Sequence, residues 1–211
     1  MLALEPALCT VSVDDDYLDD IASAFGMVID AKSPFTGGHS ECVATIACAV
    51  AAELGFDNEA CRRLKRAAML HDLGKLGVSS RILDKPGALD PEEWREMRDH
   101  AALSTDILSR VSVLRDMAMI AGSHHERLDG RGYPLGLTSP MLAVETRVIT
   151  VADVFDALTA DRPYRAAMPV ERALAILDEG AGTAFDPTCV DALRRLWAAG
   201  TLAPVSGSAS A

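Results

Sequence analysis

The sequence predicts an all-α fold, an irregular multi-helix bundle of roughly seven to nine helices. In each long segment, apolar residues recur at the spacing of one helix face, as Val43, Ile46, Ala47, Val50, Ala51 and Leu54 do. No stretch alternates in the manner of a half-buried strand. The five histidines, His39, His71, His100, His124 and His125, all stand in or beside the helical segments, next to glycines or acidic residues.

A chain of 211 residues with 49% apolar side chains can bury a real core. Its net charge of −11 argues against a nucleic-acid polymer or an anionic membrane as partner. A small anionic substrate remains compatible, because metals and a few cations can reverse the field within a pocket. The five cysteines (Cys9, Cys42, Cys48, Cys61 and Cys189) are odd in number and form no CxxC, and three of them fall in alanine-rich helical patterns. They read as packing residues in a reducing compartment. Neither a signal peptide nor an apolar run of membrane-spanning length is visible, so a cytoplasmic location is expected.

Residues 1–14 carry no clear periodicity and read as an N-terminal extension leading into Asp14-Asp15-Asp16, a plausible helix start. An apolar stripe of Leu18, Ile21, Phe25, Val28 and Ile29 predicts a first helix over Tyr17–Ala31. Pro34 and the pair Gly37-Gly38 break it. His39 opens the next helix on its buried face, and Gly55 closes that helix. A third helix is predicted over Asp57–Leu73, with Cys61, Leu64, Ala68 and His71 on one face and Asp72 about 100° round from His71. Residues 76–89 read as a connection. Asp90-Pro91-Glu92-Glu93 has the chemistry of a helix start, and that helix carries Met97, His100, Ser104 and Ile107 on one face. A further helix from about Val113 brings Leu114, Met117, Ala121 and His124 to one side, before a loop rich in charge and glycine from Glu126 to Pro134. Helices are then predicted over Leu142–Ala160, Val170–Glu179 and Pro187–Ala199. Residues 204–211 read as a flexible tail, leaving 15–203 as the folded domain.

A buried histidine beside a buried aspartate needs a partner, because uncompensated charge in a core is costly. The pair can supply one nitrogen and a carboxylate able to bridge two cations. Five histidines and several aspartates exceed one closed zinc site and suit a two-metal site with open positions. Each residue also has an ordinary account. His100 can be a satisfied helix-face histidine, and of His124 and His125 one can be buried and one exposed. Asp153 and Asp156 share a helix face, and one of the two can serve by hydrogen-bonding a ligand histidine. Arg162 and Arg165 can be surface ion-pairing residues, and Glu126 and Asp129 can stabilise their loop.

Taken in order, Thr36-Gly37-Gly38-His39-Ser40, His71-Asp72-Leu73-Gly74-Lys75, His100, His124-His125-Glu126, Asp129-Gly130-Arg131-Gly132-Tyr133-Pro134 and Val151-Ala152-Asp153-Val154-Phe155-Asp156 resemble the HD-GYP family, a branch of the HD phosphohydrolase superfamily. The likeness runs from about Val28 to about Leu196. It implies an all-helical phosphodiesterase that hydrolyses cyclic di-GMP with two divalent metal ions, iron or manganese first and nickel or zinc as alternatives. The ligands it implies are His39, His71, Asp72, His100, His124, His125 and Asp153, with Asp72 as the bridge. It further implies that Lys75 meets the substrate phosphate and that Arg162, Tyr164 and Arg165 lie at the nucleotide. The loop of Asp129, Gly130, Gly132, Tyr133 and Pro134 would meet diguanylate cyclase (GGDEF) partners. Where three-metal relatives carry a glutamate, this chain has Phe35, so two metals and linear pGpG as main product are expected. Cations ~3.5–4 Å apart can lower the pKa of a shared water enough for it to attack phosphorus. The competing expectation is a non-catalytic module that binds a protein partner or senses the nucleotide, with its regulation supplied from elsewhere.

Overall fold

The computed structural model describes residues 13–32, 37–161 and 166–202. Among them are nine α-helices: α1 (Asp15–Lys32), α2 (His39–Glu53), α3 (Asn58–Met69), α4 (Ser80–Leu83), α5 (Pro91–Ser109), α6 (Arg115–Gly122), α7 (Val144–Thr159), α8 (Val170–Glu179) and α9 (Pro187–Ala198). Three short 3-10 turns cover Leu73–Gly77, Ser112–Leu114 and Ser139–Met141. The described residues contain no strand, only two isolated bridges, Asp129 with Thr138 and Ala181 with Phe185. The all-α expectation therefore holds.

Helix α2 lies at the centre and packs on α1, α3, α7 and α9. Its buried residues Val43, Ala44, Ile46, Ala47, Val50 and Ala51 are small or branched, which lets neighbouring helices approach closely. Leu64, Leu70, Leu108, Ile149, Leu177 and Leu193 complete the fully buried core. Truncating any one of these to alanine is expected to cost about 2–5 kcal/mol. Asp30, at the end of α1, accepts from the Ser40 backbone amide and, at 2.7 Å, from its hydroxyl. It thereby satisfies an otherwise orphaned donor at the start of α2. Helix α5 begins with the capping box read from the sequence: Asp90 accepts from the amides of Glu92 and Glu93, and Glu93 accepts from the Asp90 amide.

Two helices end earlier than their apolar spacing predicts. Helix α3 stops at Met69 with Leu70 as its C-cap, so His71 and Asp72 occupy a turn beyond the helix. The chain tightens there into i→i+3 hydrogen bonds, His71 to Ala68 and Leu73 to Leu70. Ser104 of α5 secures the turn, its Oγ donating to the His71 carbonyl and accepting from the Gly74 amide, both at 2.8 Å. A Cβ at Gly74 would overlap the His100 carbonyl, so only glycine lets the turn press this close to α5. Similarly, α6 ends at Gly122, and His124 follows the helix rather than riding on it. The connection over residues 76–89 contains the short α4.

Candidate metal centre

The candidate ligands converge from α2, the turn after α3, α5, the turn after α6, and α7. His39, His71, Asp72, His100, His124 and Asp153 are all buried, and His125 is partly so. Three imidazoles are oriented by the same device. His71 Nδ1 pairs with the Ala68 carbonyl at 2.6 Å, His124 Nδ1 with the Ala121 carbonyl at 2.7 Å, and His100 Nδ1 with the Met97 carbonyl. A carbonyl can only accept, so Nδ1 carries the proton and the Nε2 lone pair faces the site. His39 differs, since its Nδ1 meets Asp156 Oδ2 at 2.6 Å. Asp156 therefore stands behind His39, while Asp153 Oδ1 lies 3.3 Å from His39 Nε2 on the inner side.

Asp72 divides its two oxygens between two histidine groups. Oδ2 lies 3.4 Å from His71 Nε2 and 3.8 Å from His39 Nε2. Oδ1 lies 3.3 Å from His100 Nε2 and 3.7 Å from His124 Nε2. Lys75 Nζ donates to Oδ2. Three sets could each hold a metal ion: His39, His71 and Asp153; His71, Asp72 and His124; and His100, His124 and His125. Their donor atoms lie within 4.8 Å of one another. Among the described residues, His71 Nε2 and Asp72 Oδ1 are buried without a hydrogen-bond partner, a costly arrangement that cations bound at these atoms would relieve. This donor set, imidazole nitrogens around a shared carboxylate, fits Fe, Mn, Ni or Zn.

The electrostatics agree with that fit. Burial alone would raise the Asp72 carboxyl, but Lys75 and then His71, His100 and His124 hold it well below the usual carboxylate range. Burial pushes His100 and His124 down, and it brings His125 to about 4, so all three imidazoles stay neutral and ready to ligate. Burial opposes the charged form of His39 too, but hydrogen bonds to Asp153 and Asp156 raise it to about 9. A cation taking Nε2 of His39 would displace that proton.

The loop after His125 is built around a buried carboxylate. Glu126 accepts from the amides of Leu135 at 2.6 Å, Gly136 at 3.0 Å and Leu137 at 2.9 Å. Asp129 accepts from Arg127 and from the Arg131 amide. Gly132 lies so close to the His125–Arg127 backbone that a Cβ would overlap it, and the Tyr133 amide donates to the His125 carbonyl. The Tyr133-Pro134 bond is cis, and Gly130 has φ 74°. The Tyr133 ring packs on His125, with centroids 4.7 Å apart. Asp129, Gly130, Gly132, Tyr133 and Pro134 thus form one loop beside the histidines. Phe35, Arg162, Tyr164 and Arg165 lie outside the described residues.

A profile of the HD domain family matches residues 24–189. The chain belongs to the HD-domain family, within its HD-GYP branch. It is 51% identical over 195 residues to the 3′3′-cGAMP-specific phosphodiesterase 3 of Vibrio cholerae, covering 92% of this chain and 42% of that protein. It is 40% identical to the cyclic di-GMP phosphodiesterase response regulator RpfG of Xanthomonas campestris, covering 82% of this chain and 46% of that protein. A crystal structure of a cyclic GMP-AMP specific phosphodiesterase from V. cholerae matches with TM-score 0.59 and 47% identity, over 92% of this chain and 43% of that one. The chain thus spans less than half the length of these relatives.

Proposed function

We propose that this chain is a metal-dependent phosphodiesterase that opens a guanine-containing 3′3′-cyclic dinucleotide, with residues 15–203 as the unit responsible. Asp72 carries this reading, because each of its oxygens faces a separate pair of histidines, the arrangement a carboxylate needs to bridge two cations. When bound, two divalent metals, iron or manganese by preference, would supply an activated water and neutralise charge on the phosphate.

The protein's own residues do the rest. His39, His71 and Asp153 would hold one cation, and His100, His124 and His125 the other, with Asp72 between them. The Nδ1 partners of His39, His71, His100 and His124 keep their Nε2 atoms on the metal side and spare the site reorganisation. Lys75, which donates to Asp72, would meet a non-bridging phosphate oxygen and offset the charge that grows there. Arg162, Tyr164 and Arg165 are assigned to the nucleotide by the resemblance, and the Gly132-Tyr133-Pro134 loop to a diguanylate cyclase partner. Cyclic di-GMP and 3′3′-cGAMP are both candidate substrates, since relatives of each description match this chain.

The test is a chromatographic time course of each nucleotide with Mn²⁺ or, anaerobically, Fe²⁺. Linear pGpG should accumulate from cyclic di-GMP, with GMP appearing slowly. Prompt conversion to GMP would overturn the product assignment. Full metal occupancy without turnover of either nucleotide would leave a non-catalytic signalling module.

A further inference from the structure

Beyond the histidines, a chain of stacked side chains leads outward from the site. Tyr133 packs on His125. The Arg98 guanidinium carbon sits over the Tyr133 ring, 5.2 Å from its centroid, and over the Trp94 ring at 5.7 Å. Trp94 and Arg98 are four residues apart on α5, the helix that also carries His100, so they share a face. Trp94 is 48% exposed, a large apolar residue to leave in water. It borders a groove of about 440 Å³ formed with Leu89, Pro91, Arg95 and Arg98, a volume on the scale of a small-ligand site.

Arg98, like Arg95 beside it in the groove, has no carboxylate partner among the described residues. Carboxylates hold Arg62, Arg66, Arg127 and Arg147. Among the described residues, no carboxylate or carbonyl takes the donors of Arg98. A guanidinium held over rings by its charge keeps N–H donors available to a further partner. Such donors match the two acceptors of guanine, O6 and N7; adenine presents one acceptor and one donor there. An exposed tryptophan beside the guanidinium offers a platform for the base itself.

We propose that the Trp94–Arg98–Tyr133 stack and its groove form a guanine-recognition subsite, in which Trp94 stacks on the base and Arg98 reads its O6/N7 edge. The proposal rests on the cyclic-dinucleotide reading above and adds how a base would be chosen. Cyclic di-GMP and 3′3′-cGAMP each carry a guanine, so either substrate can use it.

The experiment is rapid ultrafiltration of Mn²⁺-loaded protein with labelled cyclic di-GMP and cyclic di-AMP, read as a ratio of affinities. Metal content and melting temperature are checked for each variant. The unaltered protein should prefer cyclic di-GMP, and Arg98→Ala should cut that preference roughly ten-fold or more. Arg98→Lys should not restore it, because an ammonium lacks the paired donors. Trp94→Ala should weaken both nucleotides roughly ten-fold, and Trp94→Phe should retain most of the binding. An unchanged preference in Arg98→Ala, unaltered binding in Trp94→Ala, or no binding of either nucleotide overturns the subsite. Guanine-selective binding without turnover would overturn the hydrolase reading alone.

Discussion

At the residue scale, the centre depends on which atom of each side chain is already engaged. Asp156 illustrates this. The sequence places Asp153 and Asp156 on one helix face without telling ligand from support; the answer is that Asp156 holds His39 Nδ1 while Asp153 faces Nε2. Asp156→Ala should therefore weaken metal binding about 10- to 100-fold, and Asp72→Ala should lose both metals, each with helical circular dichroism intact; elemental analysis after dialysis decides between them. Retention of two metals in Asp72→Ala would remove its bridging role. Lys75 is a different case, since it touches Asp72 but would not ligate. Lys75→Ala is expected to keep the metals and lower kcat more than it raises KM, by about 10²-fold, because charge on the phosphate peaks in the transition state. A change confined to KM would make Lys75 a uniform binder.

At the scale of elements, periodicity located the helices but missed where two of them stop. Leu70, His71 and Leu73 remain buried after α3 has ended, so the apolar pattern runs on through a turn that is no longer helical. The cause is tertiary: Gly74 and Ser104 draw the turn onto α5, and that contact is not written in the local sequence. The docking of α1 on α3 was equally invisible. Buried Arg66 reaches Asp15 and Asp19, and Arg62 reaches Asp16 and Asp19. Burial works to raise the Asp19 carboxyl, but Arg66 and Arg62 outweigh it and hold it below its usual value. The carboxyl thus binds its proton less readily folded than unfolded. Its stabilising effect is complete above the ordinary carboxylate range and is lost as pH falls through the lowered value. Arg66→Ala should cost about 1–2 kcal/mol at pH 7, reduced by the partial exposure of Asp19, with a smaller cost near pH 3. Urea titrations at the two pH values measure it, and an equal cost at both would dismiss the pair.

At the scale of the molecule, the all-α class was legible because helical spacing survives in one dimension, and motif order named in advance the histidines and aspartates that the fold gathers into one cluster. The choice of cyclic dinucleotide was not legible, since a base would be met by residues such as Trp94 that no metal motif contains. No helix among the described residues is long and apolar enough to cross a membrane. The four cysteines among them are free thiols, as packing residues should be. Because the resemblance puts Phe35 where three-metal relatives carry a glutamate, two metals per chain are expected by elemental analysis, and three at full occupancy would refute that expectation. Ions that bind only the folded state stabilise it by mass action. At free metal a thousand-fold above Kd, chelation should lower Tm by roughly 10 °C, and no shift would mean the ions do not hold these helices together.

The Glu126 carboxylate has a consequence for time rather than for energy. Leu135 is 62% exposed, in a surface loop with only an isolated bridge, where amide protons ordinarily exchange with solvent almost freely. Yet the amides of Leu135, Gly136 and Leu137 all end on one buried carboxylate, and none can open without leaving that charge short of a donor. These three protons should exchange with deuterium as slowly as those of a packed helix, and Glu126→Gln should release them while leaving the helices protected. Rapid exchange in the unaltered protein would mean that the loop beside His125 breathes as a lid instead of standing as a wall.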